Sequence, residues 1–524
     1  MKFNKRIGIL VAFMLLALSF SVVPAPATTW QITSVGSALS PTYHTVSLAL
    51  EPNGTKMGLA FIGANYYLYY VPGSAGTWGP AQTVASGSID LSLALDSIGN
   101  PHISYFDATQ DHLDYAYFSS AWYTQTVDNG TDTGLYSSLA LDSIGNPHIS
   151  YIDSANSRLM YASWAGGAWA TQTVTSGGGS WTSLAFDING NPHISFCGSD
   201  GHLYYASWTG TSWTTVDASA NMCLYSSLAF SSTNGYPAIS YYDATNHNLK
   251  LANYTGTTWT IQTVDSPAST DVGQYSSLAF DSIGNPGMGY YDYTNQYLKY
   301  AYWTGSTWSI ETVSSGGASA SLAFDASGSP HIGFFASGSA ECAIGSAFER
   351  HDVAVTNVEC SKTVVFQGYT ANITVTVANQ GDFTETFNVT AYANTTATST
   401  ETLTLANQAS KTLTFTWNTT SFVYGNYTLS AYAWPVPGET NTANNNFTDG
   451  WIFVSMVGDL TGSTPFKPDG KVNIMDISVV AKAFGTTPGM PLWNANCDVN
   501  NDGIVNIRDI SIVAKNWGAT TNYP

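Results

Sequence analysis

The chain has 524 residues, which is enough for several domains, and 14% of them are aromatic, so there is ample material for buried cores. Charged residues make up only 10% of the chain, and the formal net charge is −20. A surface this acidic repels phosphate groups. The composition therefore argues against nucleic acid and against an anionic membrane as partners.

The first 27 residues have the organisation of a targeting segment. A basic start at residues 2–6 precedes an apolar run at residues 7–23 and the small-residue sequence Ala-Pro-Ala at residues 25–27. This pattern predicts a secretory signal peptide over residues 1–27, with an uncleaved membrane anchor as the alternative. No later segment has the composition of a membrane span. We therefore expect a secreted protein, either extracellular or associated with the cell surface.

Nine Asn-x-Ser/Thr sequons fit that compartment and predict a glycoprotein, with chance occurrence as the alternative in a chain rich in Asn and Thr. They lie at Asn53, Asn129, Asn253, Asn372, Asn388, Asn394, Asn418, Asn426 and Asn446.

Residues 28–350 consist of seven copies of one sequence unit. Each copy has short apolar or alternating runs separated by turn-rich segments, a pattern typical of four strands joined by three hairpin turns. The copies open with a serine every 44 to 50 residues, at Ser47, Ser92, Ser138, Ser183, Ser227, Ser277 and Ser321. Seven four-stranded units at this period predict a seven-bladed β-propeller.

The two ends of the array complement each other. The seventh copy lacks the tryptophan-led strand that ends the others, and an orphan strand with that pattern precedes the first copy at residues 30–35. We expect this strand to pair with residues 340–348 and close the ring, which leaves no exposed sheet edge. The segment LALDSIGNPHISYFD at residues 93–107 resembles NHL-type and related secreted propeller repeats. That resemblance implies the fold and little about function.

One repeat position varies around the ring. It precedes the opening serine by two residues and should lie where the innermost strand begins, at the mouth of the central channel. Its occupants in chain order are Thr45, Asp90, Tyr136, Trp181, Tyr225, Tyr275 and Ser319. Four consecutive aromatics, on the face where aspartates end the second strands, suit stacking and hydrogen bonding to a sugar ring or a peptide. The alternative is that the rings only pack the blade interfaces.

The five cysteines are too few for a disulfide framework at this length. One pair is nevertheless well placed for a disulfide. Cys197 ends the second strand of its blade and Cys223 precedes the first strand of the next blade, so both should lie on the same face of the propeller. The alternative is a pair of buried free thiols.

After Arg350 the repeat ends and a second pattern begins. Alternation at period two, with turn residues about every ten positions, predicts a β-sandwich over residues 351–455. The opening DVAVTNV, the turn VTVANQGD and the closing ETNTANN resemble the CARDB family, whose members are Ig-like, adhesion-related modules. The resemblance implies a spacer or binding domain.

The C-terminal segment contains the most specific motif of the chain. Residues 498–509 fit a twelve-residue calcium loop, with Gly503 at the sharp turn and Asp in place of the usual Glu at position 12. The predicted ligands are Asp498, Asn500, Asp502, the carbonyl of Ile504, Asn506 and Asp509. A helix is predicted directly after the loop.

An imperfect second copy lies upstream. Removing the six residues 463–468 restores the twelve positions, and a helix is again predicted to follow. The predicted ligands are Asp459, Thr461, Asp469, the carbonyl of Lys471, Asn473 and Asp476. The sequence therefore predicts two Ca²⁺ ions in this module.

The two loop–helix units, each without the entering helix of an EF-hand, resemble a type I dockerin over residues 456–524. The resemblance implies a cohesin-like or other surface protein as partner. Loop positions 10 and 11, which usually help to select the cohesin, are often small hydroxyl residues. Here they are Ile474, Met475, Ile507 and Arg508, which departs from the pattern and puts the ordinary partner in doubt.

The sequence thus predicts a mostly all-β protein: a seven-bladed β-propeller, an Ig-like β-sandwich and a small C-terminal α calcium-binding module. The leading interpretation is a non-catalytic binding protein whose propeller recognises a polysaccharide, glycoprotein or peptide. One alternative is a dockerin-bearing carbohydrate-active enzyme, a glycoside hydrolase or lyase. Another is a structural surface-layer component. Hydrolysis would need a pair of convergent carboxylates, and none is evident in the repeats.

Overall fold

The computed structural model describes residues 29–37, 46–51, 55–74, 76–347, 350–439 and 441–523. The predicted signal peptide, Thr45 and the sequon at Asn53 lie outside these residues. The chain divides into two compact units, with the boundary between residues 349 and 350. Within the described ranges, neither of the two α-helices has the length and apolar character needed to cross a membrane.

The strands of the first unit follow the repeats of the sequence. In chain order they are β1 (Trp30–Ser37), β2 (Val46–Leu50), β3 (Lys56–Ile62), β4 (Tyr67–Ser74), β5 (Thr77–Trp78), β6 (Gln82–Ser86), β7 (Ser88–Leu95), β8 (Pro101–Asp107), β9 (His112–Phe118), β10 (Trp122–Asp128), β11 (Thr133–Leu141), β12 (Pro147–Asp153), β13 (Arg158–Ala165), β14 (Ala168–Ser176), β15 (Gly178–Phe186), β16 (Pro192–Gly198), β17 (Leu203–Trp208), β18 (Trp213–Ser219), β19 (Cys223–Phe230), β20 (Pro237–Asp243), β21 (Asn248–Tyr254), β22 (Trp259–Asp265), β23 (Val272–Phe280), β24 (Pro286–Asp292), β25 (Tyr297–Trp303), β26 (Trp308–Ser314), β27 (Ala318–Phe324), β28 (Pro330–Ala336) and β29 (Ser339–Gly345).

In the described part of this unit, these strands form seven antiparallel sheets. Five sheets are simple four-stranded meanders such as β7-β8-β9-β10, and one has its fourth strand divided into β5 and β6, both paired with β4. The turn chemistry of five repeats explains the meander, because a turn that begins at an aspartate and contains a glycine at positive φ connects the first and second strands, as at Asp96 and Gly99.

The seventh sheet joins the two ends of the ring. Its order is β1-β29-β28-β27, and β1 runs antiparallel to β29 with Trp30 opposite Gly345 and Thr33 opposite Cys342. The first strand of the unit is therefore the outer strand of the last sheet. Pairing the first and last strands of this unit in one sheet gives β29 a partner along the edge that would otherwise be open.

The innermost strands make contact in a closed circle, each with the next: β2, β7, β11, β15, β19, β23 and β27. The Oγ atom of each repeat-opening serine accepts a hydrogen bond from the backbone N–H of a leucine on the next innermost strand, and Ser321 accepts from Leu48 of the first. All seven N···O distances are 2.9 or 3.0 Å. The periodic serine therefore connects blades, a role that the sequence pattern did not reveal.

The second unit begins with a two-layer sandwich. Its strands are β30 (Val353–Cys360), β31 (Val364–Phe366), β32 (Thr370–Asn379), β33 (Glu385–Ala393), β34 (Thr396–Leu405), β35 (Ser410–Asn418), β36 (Gly425–Ala433) and β37 (Asn446–Ser455). One sheet has the order β30-β32-β35 and the other β31-β37-β36-β33-β34. The alternating apolar residues of the two inner faces form the core, in which Trp417, Phe415 and Ile373 are fully buried.

The C-terminal module has two short helices, α1 (Ile474–Lys482) and α2 (Ile507–Ala514), which pack against each other. Val480 of α1 and Val513 of α2 are completely buried, and Val364 and Phe366 of strand β31 belong to the same apolar cluster. The sandwich therefore contributes to the core of a module that is too small to bury much by itself. The predicted fold class, mostly β with a small C-terminal helical module, is confirmed.

Candidate functional site

The predicted channel-mouth residues that the structure describes lie where an innermost strand bulges. In the described chain, Asp90, Tyr136, Trp181, Tyr225, Tyr275 and Ser319 have φ between 52° and 58°. The strand register shifts at or next to each of them. A non-glycine residue in the left-handed region costs on the order of 1 kcal/mol and persists only where its surroundings hold it. Six blades keep this conformation, which turns the side chain out of the regular strand alternation.

Hydroxyl groups of the following blade hold these bulges. Thr182 Oγ1 donates to the carbonyl of Tyr136 at 2.8 Å, Ser226 Oγ to that of Trp181 at 2.6 Å, and Ser276 Oγ to that of Tyr225 at 3.0 Å. Each of the three hydroxyls also contacts a buried serine hydroxyl on a second strand, at 2.7 to 3.1 Å. The orientation of the aromatic residues is thus fixed by polar contacts between blades.

We call Tyr136, Trp181, Tyr225 and Tyr275 the aromatic arc. Their ring centroids are 4.6, 4.2 and 4.3 Å apart in sequence order, with interplanar angles of 51°, 50° and 42°. All four rings are half-buried, and all line a cavity of about 210 Å³. The rings therefore pack against one another across the blades and also face an open space.

Asp90 lies at one end of the arc, on the blade before Tyr136. Its carboxylate accepts a hydrogen bond from the backbone N–H of Tyr136, and burial raises its pKa to about 6. Among the described residues that line the cavity, Asp90 is the one carboxylate. The aspartates that end the second strands are turn caps: Asp153 accepts from the N–H of Asn156 and Asp243 from that of Thr245, both at 3.0 Å.

The structure joins Cys197 and Cys223 by a disulfide with a Cα–Cα distance of 5.5 Å. Cys197 lies near the end of β16 and Cys223 begins β19, so the bond connects two adjacent blades. Both residues are buried.

The two predicted calcium loops of the C-terminal module share one pattern of hydrogen bonds. In the loop at 498–509, Asp498 accepts from the N–H groups of Asp502 and Gly503, and Asp509 accepts from those of Val499, Asn500 and Asn506. In the loop at 459–476, Asp459 and Asp476 accept from the corresponding five N–H groups, at Asp469, Gly470, Leu460, Thr461 and Asn473. The six inserted residues leave this pattern unchanged.

Local geometry explains why these residue types are needed. Gly503 and Gly470 have φ of 84° and 83°, a conformation that a side chain would strain. Asn506 and Asn473 are the N-caps of α2 and α1, and Asp509 and Asp476 complete the capping boxes. The residues at positions 9 and 12 therefore start the helix as well as offering oxygen atoms to a cation.

The residues of the loop at 498–509 fit a calcium ion. The carboxylates of Asp498, Asp502 and Asp509 each place an oxygen within 4.8 Å of the others. Burial raises the pKa of Asp498, and the neighbouring Asp509 carboxylate acts in the same direction. An oxygen-only set of carboxylates, amides and one carbonyl is what Ca²⁺ prefers.

The loop at 459–476 is more enclosed. Asp459 and Asp476 are fully buried, and burial raises the pKa of Asp459 to about 6 and also raises that of Asp476. The hydroxyl of Tyr523 donates to Asp459 Oδ2 at 2.5 Å, and Thr461 donates to the carbonyl of Thr464 within the insertion. Nothing in the twelve-position motif pointed to Tyr523, which comes from the end of the chain.

Residues of the sandwich hold the loop at 498–509 through hydrogen bonds. The Lys362 ammonium donates to the carbonyl of Asp498 at 2.5 Å, and Asn501 Nδ2 donates to the carbonyl of Thr370 at 2.7 Å. Asn496, just before the loop, accepts from the N–H groups of Thr363 and Val364 at 2.8 and 3.0 Å. These contacts join residues more than 130 positions apart, which the sequence could not indicate.

Positions 10 and 11 of both loops lie in the first turn of each helix. Ile474 and Ile507 are both 63% exposed, and Met475 is 39% exposed. Large apolar side chains at corresponding places on two helices give each loop–helix unit an exposed apolar surface.

Comparison with protein families supports the two modules of the second unit. Residues 467–516 match the Dockerin type I domain, and residues 350–449 match CARDB. Dockerin type I domains bind calcium and cohesins, and proteins that carry them are typically extracellular or on the cell surface. No curated protein matches the chain.

Several solved structures are similar to parts of the chain. AofleA from Arthrobotrys oligospora is 14% identical with a TM-score of 0.39, over 55% of this chain and 91% of that one. The fucose-specific lectin from Aleuria aurantia is 15% identical with a TM-score of 0.39, over 54% and 98%. A CARDB domain from Pyrococcus furiosus in complex with di-metal ions is 28% identical with a TM-score of 0.18, over 21% and 99%.

Proposed function

We propose that this protein is a non-catalytic, extracellular binding protein whose propeller recognises carbohydrate at the channel mouth. The observation that carries the proposal is the aromatic arc, four half-buried rings that line one cavity with a carboxylate at one end. Aromatic rings stack on the apolar faces of sugars, and a carboxylate accepts hydrogen bonds from hydroxyl groups.

The rigidity of the site supports binding. The bulges at Tyr136, Trp181 and Tyr225 are held in their left-handed backbone conformation by hydrogen bonds between blades. A preorganised site loses little conformational entropy when it binds. Residues held in strained conformations also occur preferentially at functional sites.

The residues that line the channel mouth favour binding over glycoside hydrolysis, because those that the structure describes include only one carboxylate. The usual glycosidase mechanisms need two carboxylates about 5 to 10 Å apart, one as acid and one as base or nucleophile. Asp90 has the raised pKa that suits a general acid, but the described residues that line the cavity include no second carboxylate to serve as its partner.

The C-terminal module provides the attachment in this proposal. Its two loops would each hold one Ca²⁺ ion, and the exposed Ile474, Met475 and Ile507 form the surface for a cohesin-like partner. Because these side chains are apolar, the partner should present an apolar surface, in contrast to one that pairs with hydroxyl residues. The sandwich then serves as the rigid spacer next to this module.

The test is a glycan array probed with the full chain, followed by calorimetric titration of the strongest ligand. Trp181→Ala, which removes the central ring of the arc, should weaken binding at least fivefold, since one stacking contact is worth about 1 kcal/mol. The matched control is Tyr293→Ala, an exposed aromatic of the same propeller that does not line the cavity. Unchanged affinity in a folded Trp181→Ala protein would place the site elsewhere, and an array with no bound glycan would end the carbohydrate proposal.

A further inference from the structure

The described residues around the channel mouth carry negative charge and no positive charge. The described residues that line the cavity include no lysine, arginine or histidine, and Asp90 is the one carboxylate. The whole chain carries a net charge of −20. An anionic ligand is therefore repelled both at long range and at the site, whereas a cation is attracted by both.

The shape of the aromatic arc points to the same conclusion. Its rings are tilted by 42° to 51° from one to the next, so they form a curved wall in place of a single flat platform. The negative faces of several rings around one space attract a compact cation. Tyr136 begins the arc and also donates its N–H to Asp90, so the carboxylate lies directly beside the wall.

We propose that the channel mouth selects carbohydrate units that carry a free, protonated amino group, an inference that rests on the proposed carbohydrate-binding function. The ammonium group lies between the Asp90 carboxylate and the aromatic arc. Asp90 is a half-buried carboxylate, and the cavity lining in the described part of the chain includes no cationic side chain, so an ammonium from the ligand supplies the missing counter-charge.

Two further features favour an amino sugar over the amine of a protein side chain. The cavity, at about 210 Å³, is smaller than usual ligand pockets and suits a single compact unit. The repeat-opening serines, such as Ser92, Ser138 and Ser183, also line it. The hydroxyls of these three serines each accept one backbone hydrogen bond and retain a proton to donate, which suits sugar hydroxyl groups and not the apolar stem of a lysine.

The experiment is calorimetric titration of the full chain with a glucosamine tetramer and with the same tetramer fully N-acetylated, which removes the charge and keeps the sugar rings. We expect at least tenfold tighter binding of the free-amine tetramer. Asp90→Asn should remove most of that preference. The matched control is Asp111→Asn, which makes the same charge change at an exposed residue that also has a left-handed backbone, with φ of 58°.

Equal affinity for the two tetramers would overturn this inference and leave the carbohydrate proposal intact. A preference for the free amine that persists in Asp90→Asn would overturn the assignment of the amine to this site. Binding of a lysine-rich peptide, with the same dependence on Asp90 and no binding of either tetramer, would show that the cation belongs to a protein ligand. A glycan array without any bound glycan would instead end the underlying carbohydrate proposal.

Discussion

In the loop at 459–476, the first carboxylate is covered by a tyrosine from the end of the same module, whereas in the loop at 498–509 the equivalent residue is held by a lysine of the sandwich. The hydrogen bonds inside the two loops correspond one to one. A twelve-residue motif therefore specifies the ligands and the backbone, while contacts from distant residues decide how each site is supported. Two sites with the same motif can differ in stability and affinity for this reason.

Removing calcium should have the largest effect and should separate the two loops. A site saturated at a thousand times its Kd adds about 4 kcal/mol of stability. Chelation should therefore increase hydrogen exchange in α1 and α2, and α1 should lose more protection because α2 follows the loop that is bound to the sandwich. The propeller amides provide the internal control. Equal exchange with and without chelator would contradict the calcium assignment.

Removing the first ligand of each loop should give the next largest effect. Asp498→Ala and Asp459→Ala should each reduce the calcium stoichiometry from two to one in calorimetric titration. Asp459→Ala should cost about 1 kcal/mol more in unfolding free energy, because it also leaves the Tyr523 hydroxyl without its acceptor. Asp449→Ala, an exposed acidic residue of the sandwich, serves as the control. A stoichiometry of two in either variant would exclude that loop as a site.

The contribution of the sandwich can be tested with Lys362→Met. The loss of a charged hydrogen bond to the Asp498 carbonyl should lower calcium-free stability by about 2 kcal/mol. Removing a positive charge beside the carboxylates should at the same time increase calcium affinity at this loop. Thermal unfolding with calcium and with chelator measures both effects, and Lys482→Met at the exposed end of α1 is the control. An unchanged calcium-free midpoint would show that the sandwich does not support this loop.

The smallest effect is expected for Tyr523→Phe. This change removes one hydroxyl that donates to Asp459 and accepts from the N–H of Met456, so we expect a loss of about 1 kcal/mol. The loss should be confined to the first loop, seen as faster exchange in α1 with α2 unchanged. The control is Tyr424→Phe, which removes a hydroxyl from a neighbouring ring that is in edge contact with Tyr523. Equal effects on both helices would remove the distinction between the loops.

The parts of the molecule that depend on local sequence could be predicted. Repeat length and turn residues were enough for the blades, and the spacing from Asp498 to Asp509 was enough for the loop, because each rests on contacts between residues close in the chain. The support from Lys362 and Tyr523 could not be predicted, since it depends on packing between segments 60 to 140 residues apart.

The channel mouth was predicted in part. The repeat register located Asp90 and the aromatic arc, but not the bulge that turns these side chains, because no residue type marks it: aromatics, an aspartate and a serine all adopt the same left-handed backbone. The repeat-opening serine was recognised as a period marker only. Its bond to the next blade joins neighbouring repeats and is therefore invisible within any single copy.

The pairing of β1 with β29 also determines when the ring can be completed. Strand β1 is synthesised before its partner β29, which leaves the ribosome only after the strands of six other sheets. The edge of β1 therefore stays unpaired during this time. Bringing together ends separated by roughly 300 residues carries a closure entropy of about 5 kcal/mol, reduced as the intervening blades fold. A nascent chain that stops before β29 would expose two unpaired edges, and such chains are the ones we expect to need a chaperone or to aggregate.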